Sequence, residues 1–394
     1  PRLYLGQLAP GTMTQEGGTN RITTQADISS ANTAPATYEL RGGLFNPTWL
    51  VVGMSGTGTV LQTGGILENP GQTLLGSKSG AEGNYRLENG RLKSTSLYVG
   101  DHGYAAFTQT GGTNSTGSFF LVPRRTNGVY NLWGGVAYVG TNGYSSGQYV
   151  AVGFDPGSVG TFNFGTTNSS GVLCQEPGSS GAYMTVVRVA GASGTVRGWG
   201  VCELTSYLQN SGVVIADGYG TDRDLDFSAM SSVLNSFANT STNGWYARDH
   251  GRLLLPPIAA GNPVCWGDTT TQDLVNSVKL ELTGTGSVTG ALLAADHTLV
   301  NPDLYKPIGV WEFAAASSVT GGKLTFLYDA AQLAAMEIDE SRLRVWRHSG
   351  ASWVNVTDTG GLDMGANKIR TATVNPSGQF AVAPTVQGTM IRIQ

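Results

Sequence analysis

Leu3-Tyr4-Leu5-Gly6 returns as Leu50-Val51-Val52-Gly53 and again as Leu97-Tyr98-Val99-Gly100, displaced by 47 residues each time. Gln15-Glu16-Gly17-Gly18, Gln62-Thr63-Gly64-Gly65 and Gln109-Thr110-Gly111-Gly112 keep the same interval. A fixed period of this length confines the chain to repeat architectures. Within each block a shorter pattern occurs twice: an apolar or aromatic residue, Leu or Gln two positions on, then a small residue and Gly two and three positions further. The copies begin at Met13, Tyr38, Val60, Tyr85, Phe107 and Tyr130, in steps of 25, 22, 25, 22 and 23 residues. The unit is therefore a coil of about 23 residues, and the 47-residue block is two coils. Alternation inside each copy, as in Tyr85 and Leu87, has the period of a strand with one buried face. The glycine pair that follows supplies the positive φ a sharp corner needs.

Short strands, glycine corners and a regular return predict a parallel β-solenoid, each coil bonded to the one beneath at about 4.8 Å. Equivalent residues then stack in columns. Tyr4, Val51 and Tyr98 are expected in one inward column, and Gln15, Gln62 and Gln109 in an amide ladder at a turn. Duplicated hairpins in a sandwich or propeller are the alternative, but a half-repeat of 22–25 residues is too short for a four-stranded blade.

Beyond Tyr130 the pattern loosens, most of all from 140 to 200. Val152-Gly153 followed by Phe162-Asn163-Phe164-Gly165 still carries the repeat. Runs at 183–190, 213–216 and 245–255 read as further strands, and the helix is expected to end near Pro256-Pro257. After 261 the grammar changes. Residues 277–282, 310–314, 323–328, 343–347, 353–356 and 379–383 alternate at strand length between turns, with one helical turn at 329–336. The expectation is all-β: a parallel β-helix over 1–261, an antiparallel β-sandwich over 262–386, and a terminal strand over 387–394.

Glycine fills 57 of 394 positions and charged residues only 13%, with a net charge of −4. Lys and Arg are scattered rather than gathered in a stripe, so no nucleic-acid partner is expected. No apolar run reaches the roughly 18 residues of a membrane span, so no membrane insertion is expected either. The longest, 253–261, contains Pro256 and Pro257. A surface of Thr, Ser, Asn, Gln and Gly points outside the cell, and the start at Pro1 reads as a processed or trimmed product. Cys174, Cys202 and Cys265 lack metal-type spacing: either Cys174 bridges Cys202, or all three are buried thiols.

The Tyr-x-Leu-x-Gly-Gly and Gln-Thr-Gly-Gly-Thr-Asn coils, the stretch Val213-Val214-Ile215-Ala216-Asp217-Gly218-Tyr219-Gly220-Thr221-Asp222, and Leu343-Arg344-Val345-Trp346 through Trp353-Val354-Asn355-Val356 together resemble the large secreted repeat proteins of planctomycete-type bacteria, akin to autotransporter passengers. The resemblance covers most of the chain and rests on repeat grammar. It implies an extracellular or cell-surface β-helix followed by a β-sandwich, with a structural or adhesive role, and brings no catalytic residue.

β-Helices also include polysaccharide lyases and hydrolases, which use exposed carboxylates, often with calcium and a basic residue. Asp217, Asp222, Asp224, Asp226 and Asp249, with Arg223, Arg248 and His250, are the candidates. Asp222, Asp224 and Asp226 resemble the start of a calcium loop, but its glycine position is Phe227 and its closing glutamate position Val233. Capping of turns is the competing role for these carboxylates. No other cofactor is expected. Gly143-Tyr144-Ser145-Ser146-Gly147 has the letters of a nucleophile elbow without its strand and helix, and His102, His250, His297 and His348 lack ligand spacing.

Leu3-Tyr4-Leu5 matches the middle of a repeat, which leaves a strand edge unpaired at that end. Met390, Ile391 and Ile393 form a detachable strand at the other. These six residues suggest head-to-tail self-association into a filament, sheath or matrix, the terminal strand or sandwich of one molecule covering the first coil of the next. A monomeric adhesin or surface-layer fragment that touches extracellular polysaccharide is the alternative, and a β-helix polysaccharide lyase or hydrolase a further one.

Overall fold

The computed structural model describes residues 1–32, 34–140, 148–177, 179, 181–186, 193–210, 212–217, 223–234, 244–248, 252–258, 263–266, 278–294, 304–350 and 352–385. The fold is all-β, with 62% strand and 3% helix, and its larger part is the expected parallel solenoid. Each coil contributes to three sheets. Gly11–Gln15, Ala36–Leu40, Thr57–Gln62 and Glu82–Leu87 stack in the first. Thr19–Ile28, Leu44–Val52, Ile66–Leu75 and Arg91–Val99 each serve the second and third, bending where the register shifts, as between Ile22 and Gln25.

The repeat copies fall in one ladder column: Met13, Tyr38, Val60, Tyr85, Phe107 and Tyr130 are successive partners, followed by Phe162, Val196 and Val214. Inside the solenoid Tyr85, Phe107, Tyr130 and Phe162 stack face to face, with centroids 4.7, 4.7 and 4.9 Å apart. That spacing is the strand repeat itself, so the fold sets the ring contact.

The corner glycines serve two needs at once. Gly18, Gly43, Gly65, Gly90, Gly112 and Gly135 all have φ between +63° and +87°. A Cβ on Gly43 would also lie 2.2 Å from the Gly18 carbonyl oxygen in the preceding coil. That same oxygen accepts the Leu44 N–H at 2.8 Å. The coil-to-coil bond and a side chain cannot share the space.

Two expected columns are corrected. Tyr4, Val51 and Tyr98 do share a column, through Asp27 and Leu74, but it points outward. Their neighbours Leu50, Val52, Leu97 and Val99 face the core. Leu-Tyr-Leu and Leu-Val-Val are apolar on both faces, so alternation cannot orient them. Val51 is buried all the same, and Tyr98 packs outside the solenoid wall with Leu121 and Ala151.

The three glutamines form no amide ladder, because Leu40 and Leu87 stand between them in register. Gln62 instead lies buried and accepts the Tyr85 hydroxyl at 2.5 Å, while its amide donates to the Gly65 and Arg91 carbonyls at 3.2 and 3.1 Å. Gln15 with Tyr38 and Gln109 with Tyr130 repeat the arrangement. The two-coil period thus encodes a buried Tyr–Gln–backbone clasp.

The C-terminal region is antiparallel, yet its sheets grow directly out of the solenoid. In the first sheet Gly244–Arg248 pairs with Pro263–Trp266, which turns antiparallel to Val278–Thr283 and then Gly321–Leu327. In the second, Arg252–Leu254 pairs antiparallel with Val288–Ala294, followed by Gly309–Ala315, Gly378–Pro384 and Leu343–His348. Ladder bonds therefore run across residue 261. The sandwich closes the last coil, one hydrophobic core runs from Ile22 to Val382, and Asp329 caps the short helix Ala330–Ala335.

Candidate functional site

The first coil is the place where the ladder is one-sided. Among the described residues, Leu3–Leu5 pairs only with 26–28, Gly11–Gln15 only with Ala36–Leu40, and residues 19–22 only with 44–47. Alternate N–H and C=O groups of these strands point away from the solenoid. A strand edge of this kind is a template for another strand. Leu3 and Leu5 pack against the core, while Tyr4 lies 44% exposed beneath the Arg2 guanidinium, 4.9 Å from its ring centre. Arg2 in turn holds the buried Asp27 carboxylate at 2.8 Å. The corner of this coil differs from those of the next coils in one respect: nothing lies within 4 Å of a Cβ built on Gly17 or Gly18. The equivalent positions Gly42 and Gly64 would strike the Glu16 and Arg41 carbonyl oxygens at 2.4 and 2.2 Å. Met390, Ile391 and Ile393, the other expected assembly residues, lie outside the described residues.

Of the carboxylates expected to hold calcium, Asp222 lies outside the described residues. Asp224 and Asp226 project from the outer face of Asp224–Asp226, on either side of the buried Leu225. Asp224 is held by Arg252 at 2.6 Å, and Asp226 accepts the Ser228 N–H at 2.8 Å to close a turn. Among the described residues no three His, Cys, Asp or Glu side chains converge as metal ligands would. Asp224 and Arg252 share a shallow cleft with Glu312 where solenoid and sandwich meet. Asp217 is paired with Arg197 at 2.6 Å. Arg223 lies over the Trp199 ring at 4.5 Å. His102 sits between Asp101 and Arg125, and His348 packs on Trp353. Asp249, His250, His297 and 143–147 lie outside the described residues, as does the side chain of Arg248.

The Cys174–Cys202 bridge is corrected: both are free thiols. Leu173, not Cys174, is the partner of Cys202, so the two sulfurs emerge on opposite faces of the second sheet. Cys202 points into the core, and burial pushes its thiol up to about 12. Cys174 faces Glu203, with Sγ 3.2 Å from the carboxylate; burial, then that carboxylate, lifts its thiol to about 12 as well. Peptide mapping without reductant is expected to recover the two as separate thiols, and a linked pair would contradict the register.

One group escaped the sequence reading. Phe119, Tyr149, Tyr183 and Tyr207 stand in successive coils on the outer face of the third sheet. Tyr149 and Tyr183 stack at 5.2 Å, and Tyr183 and Tyr207 at 4.5 Å, both pairs 20° from parallel. The displacement from Tyr149 to Tyr183, 34 residues, equals that from Phe162 to Val196 in the core column. That shared offset was the available signal, obscured by the long insertions between coils.

No family model, curated protein or solved structure matches this chain.

Proposed function

We propose that the protein is an extracellular structural subunit, of the kind secreted by planctomycete-type bacteria, that associates head to tail into a filament, sheath or matrix. The way the coils stack carries this reading: each receives the next through backbone ladder bonds at glycine corners, a contact that a strand or coil of another molecule can make equally. Interior corners need glycine because the backbone of the coil beneath occupies the space of a Cβ. At one end of the solenoid Leu3–Leu5 and Gly11–Gln15 pair with the coil that follows them. The other end of the solenoid is closed by its own sandwich, and the strands farthest from the solenoid are blunted. Trp353–Asn355 has three residues, and Thr357–Asp363 carries a register shift. Short and bulged edges resist pairing. A coil and a sandwich are unlike surfaces, so a contact between them is heterologous, a geometry that propagates instead of closing as a twofold dimer. The segment 387–394, expected from its alternation to be a strand, or the sandwich itself, is the element that covers the first coil of the next molecule.

Gly17→Ala tests the proposal without disturbing the subunit, because the added methyl meets nothing within the chain. Electron microscopy and light scattering over a concentration series are expected to give extended assemblies for the unaltered protein. Gly17→Ala and deletion of 387–394 should each yield single particles with unchanged circular dichroism. Single particles from the unaltered protein at high concentration would overturn the reading.

A further inference from the structure

We propose that Tyr149, Tyr183 and Tyr207 form an oxidative cross-linking site, at which one-electron oxidants join adjacent coils through a dityrosine bond. Dityrosine forms when two phenoxyl radicals, or a radical and a neighbouring phenol, meet at the ring carbons beside the oxygen. Three conditions must coincide: two tyrosines side by side, access for an oxidant, and a backbone that keeps the rings together. In this column all three hold. Tyr149 and Tyr183 are direct ladder partners, and Tyr183 and Tyr207 flank the partners Met184 and Leu208. Their backbones are therefore one strand spacing apart, about 4.8 Å. The rings stack at 5.2 and 4.5 Å. All three side chains are half-buried, on the outside of the wall.

No other described tyrosines meet these conditions. Tyr38, Tyr85 and Tyr130 are buried, with hydroxyls held by Gln15, Gln62 and Gln109 and with Val60 or Phe107 in the coils between them. Tyr104 is 44% exposed but has Glu82 as its ladder partner. Tyr98 stands in a column with Leu74 and Leu121 and lies beneath Arg124.

The reaction balances with hydrogen peroxide as oxidant, acting through a haem peroxidase. Each phenol gives up one electron and one proton. The radicals form a carbon–carbon bond ortho to oxygen, the two displaced ring hydrogens return to the oxygens, and the peroxide leaves as two waters. The product is two hydrogens lighter and ties together coils in the region of long insertions. This site stands whether or not the subunits assemble.

The test treats the purified protein with a haem peroxidase and hydrogen peroxide, then digests it with trypsin. No Lys or Arg lies within 126–187 or within 198–222, and cleavage follows Arg188, Arg197 and Arg223, so Tyr183 and Tyr207 fall on different peptides, 126–188 and 198–223. The expected result is dityrosine fluorescence and these two peptides linked, two hydrogens below their summed mass, with fragmentation placing the link at 183 and 207. The yield should be unchanged on tenfold dilution. Tyr207→Phe should abolish this linked pair, and Tyr104→Phe should leave it intact. Absence of the pair, a yield that falls with dilution, or links through Tyr4, Tyr104 or Tyr305 instead would overturn the proposal.

Discussion

Gln62 occupies a position that alternates with leucine from coil to coil, as Leu40 and Leu87 on either side of it make plain. Leucine therefore fits the space, and the difference between the two is polar. In Gln62→Leu the buried Tyr85 hydroxyl loses its acceptor, and a buried group left unpaired costs about 1–3 kcal/mol. Denaturant unfolding is expected to register a loss of about 2 kcal/mol, and adding Tyr85→Phe should return about half of it by removing the stranded hydroxyl. The same phenols make stability fall at high pH. Burial raises the Tyr85 and Tyr130 phenols well above the ordinary 10.0. A folded-state value above the unfolded one favours the protonated form in the fold. The contribution is thus complete below pH 10 and declines above it, by about 1.4 kcal/mol per pH unit for each such tyrosine. Urea midpoints that stay level from about pH 9 to 11 would contradict the buried assignment.

Between coils the deciding contacts are backbone against backbone. Gly64 does not need a positive φ, yet a methyl group there would sit 2.2 Å from the Arg41 carbonyl oxygen. Gly64→Ala is expected to cost about 1–3 kcal/mol by forcing two coils apart, the range for overpacked sites. Gly17→Ala, whose added methyl meets no atom within 4 Å, should leave the thermal midpoint where it is. The comparison separates the steric demand of stacking from the conformational demand of the turn, since alanine meets the second equally at both sites.

Across the whole molecule, two sheets pass from solenoid into sandwich without a break. The residues beyond 261 therefore act as the solenoid's end cap as well as a unit of their own. One cooperative transition is expected, with tryptophan fluorescence from Trp311 and Trp346 in the sandwich following the same curve as far-ultraviolet circular dichroism. Two separated transitions would mean that the shared ladder carries little energy. A variant ending at residue 258 would bare the ladder edges of Gly244–Arg248 and Arg252–Leu254, and light scattering should reveal its self-association.

The sequence alone determined the solenoid, its coil length and the register of the first sheet, because the Met13 to Tyr130 copies repeat backbone geometry as well as side chains. It also marked the change of grammar near 261 and the helical turn after Asp329. Which way Leu-Tyr-Leu faces was decided only in three dimensions, since a segment apolar on both faces has no alternation to read. So were the separation of Cys174 from Cys202, which turns on a one-residue offset between strands, and the Tyr–Gln clasp, which joins residues a full coil apart. The Tyr149, Tyr183 and Tyr207 column emerged from stacking in the same way. Local periodicity records how each coil is built, whereas contacts between coils depend on insertions whose lengths carry no pattern.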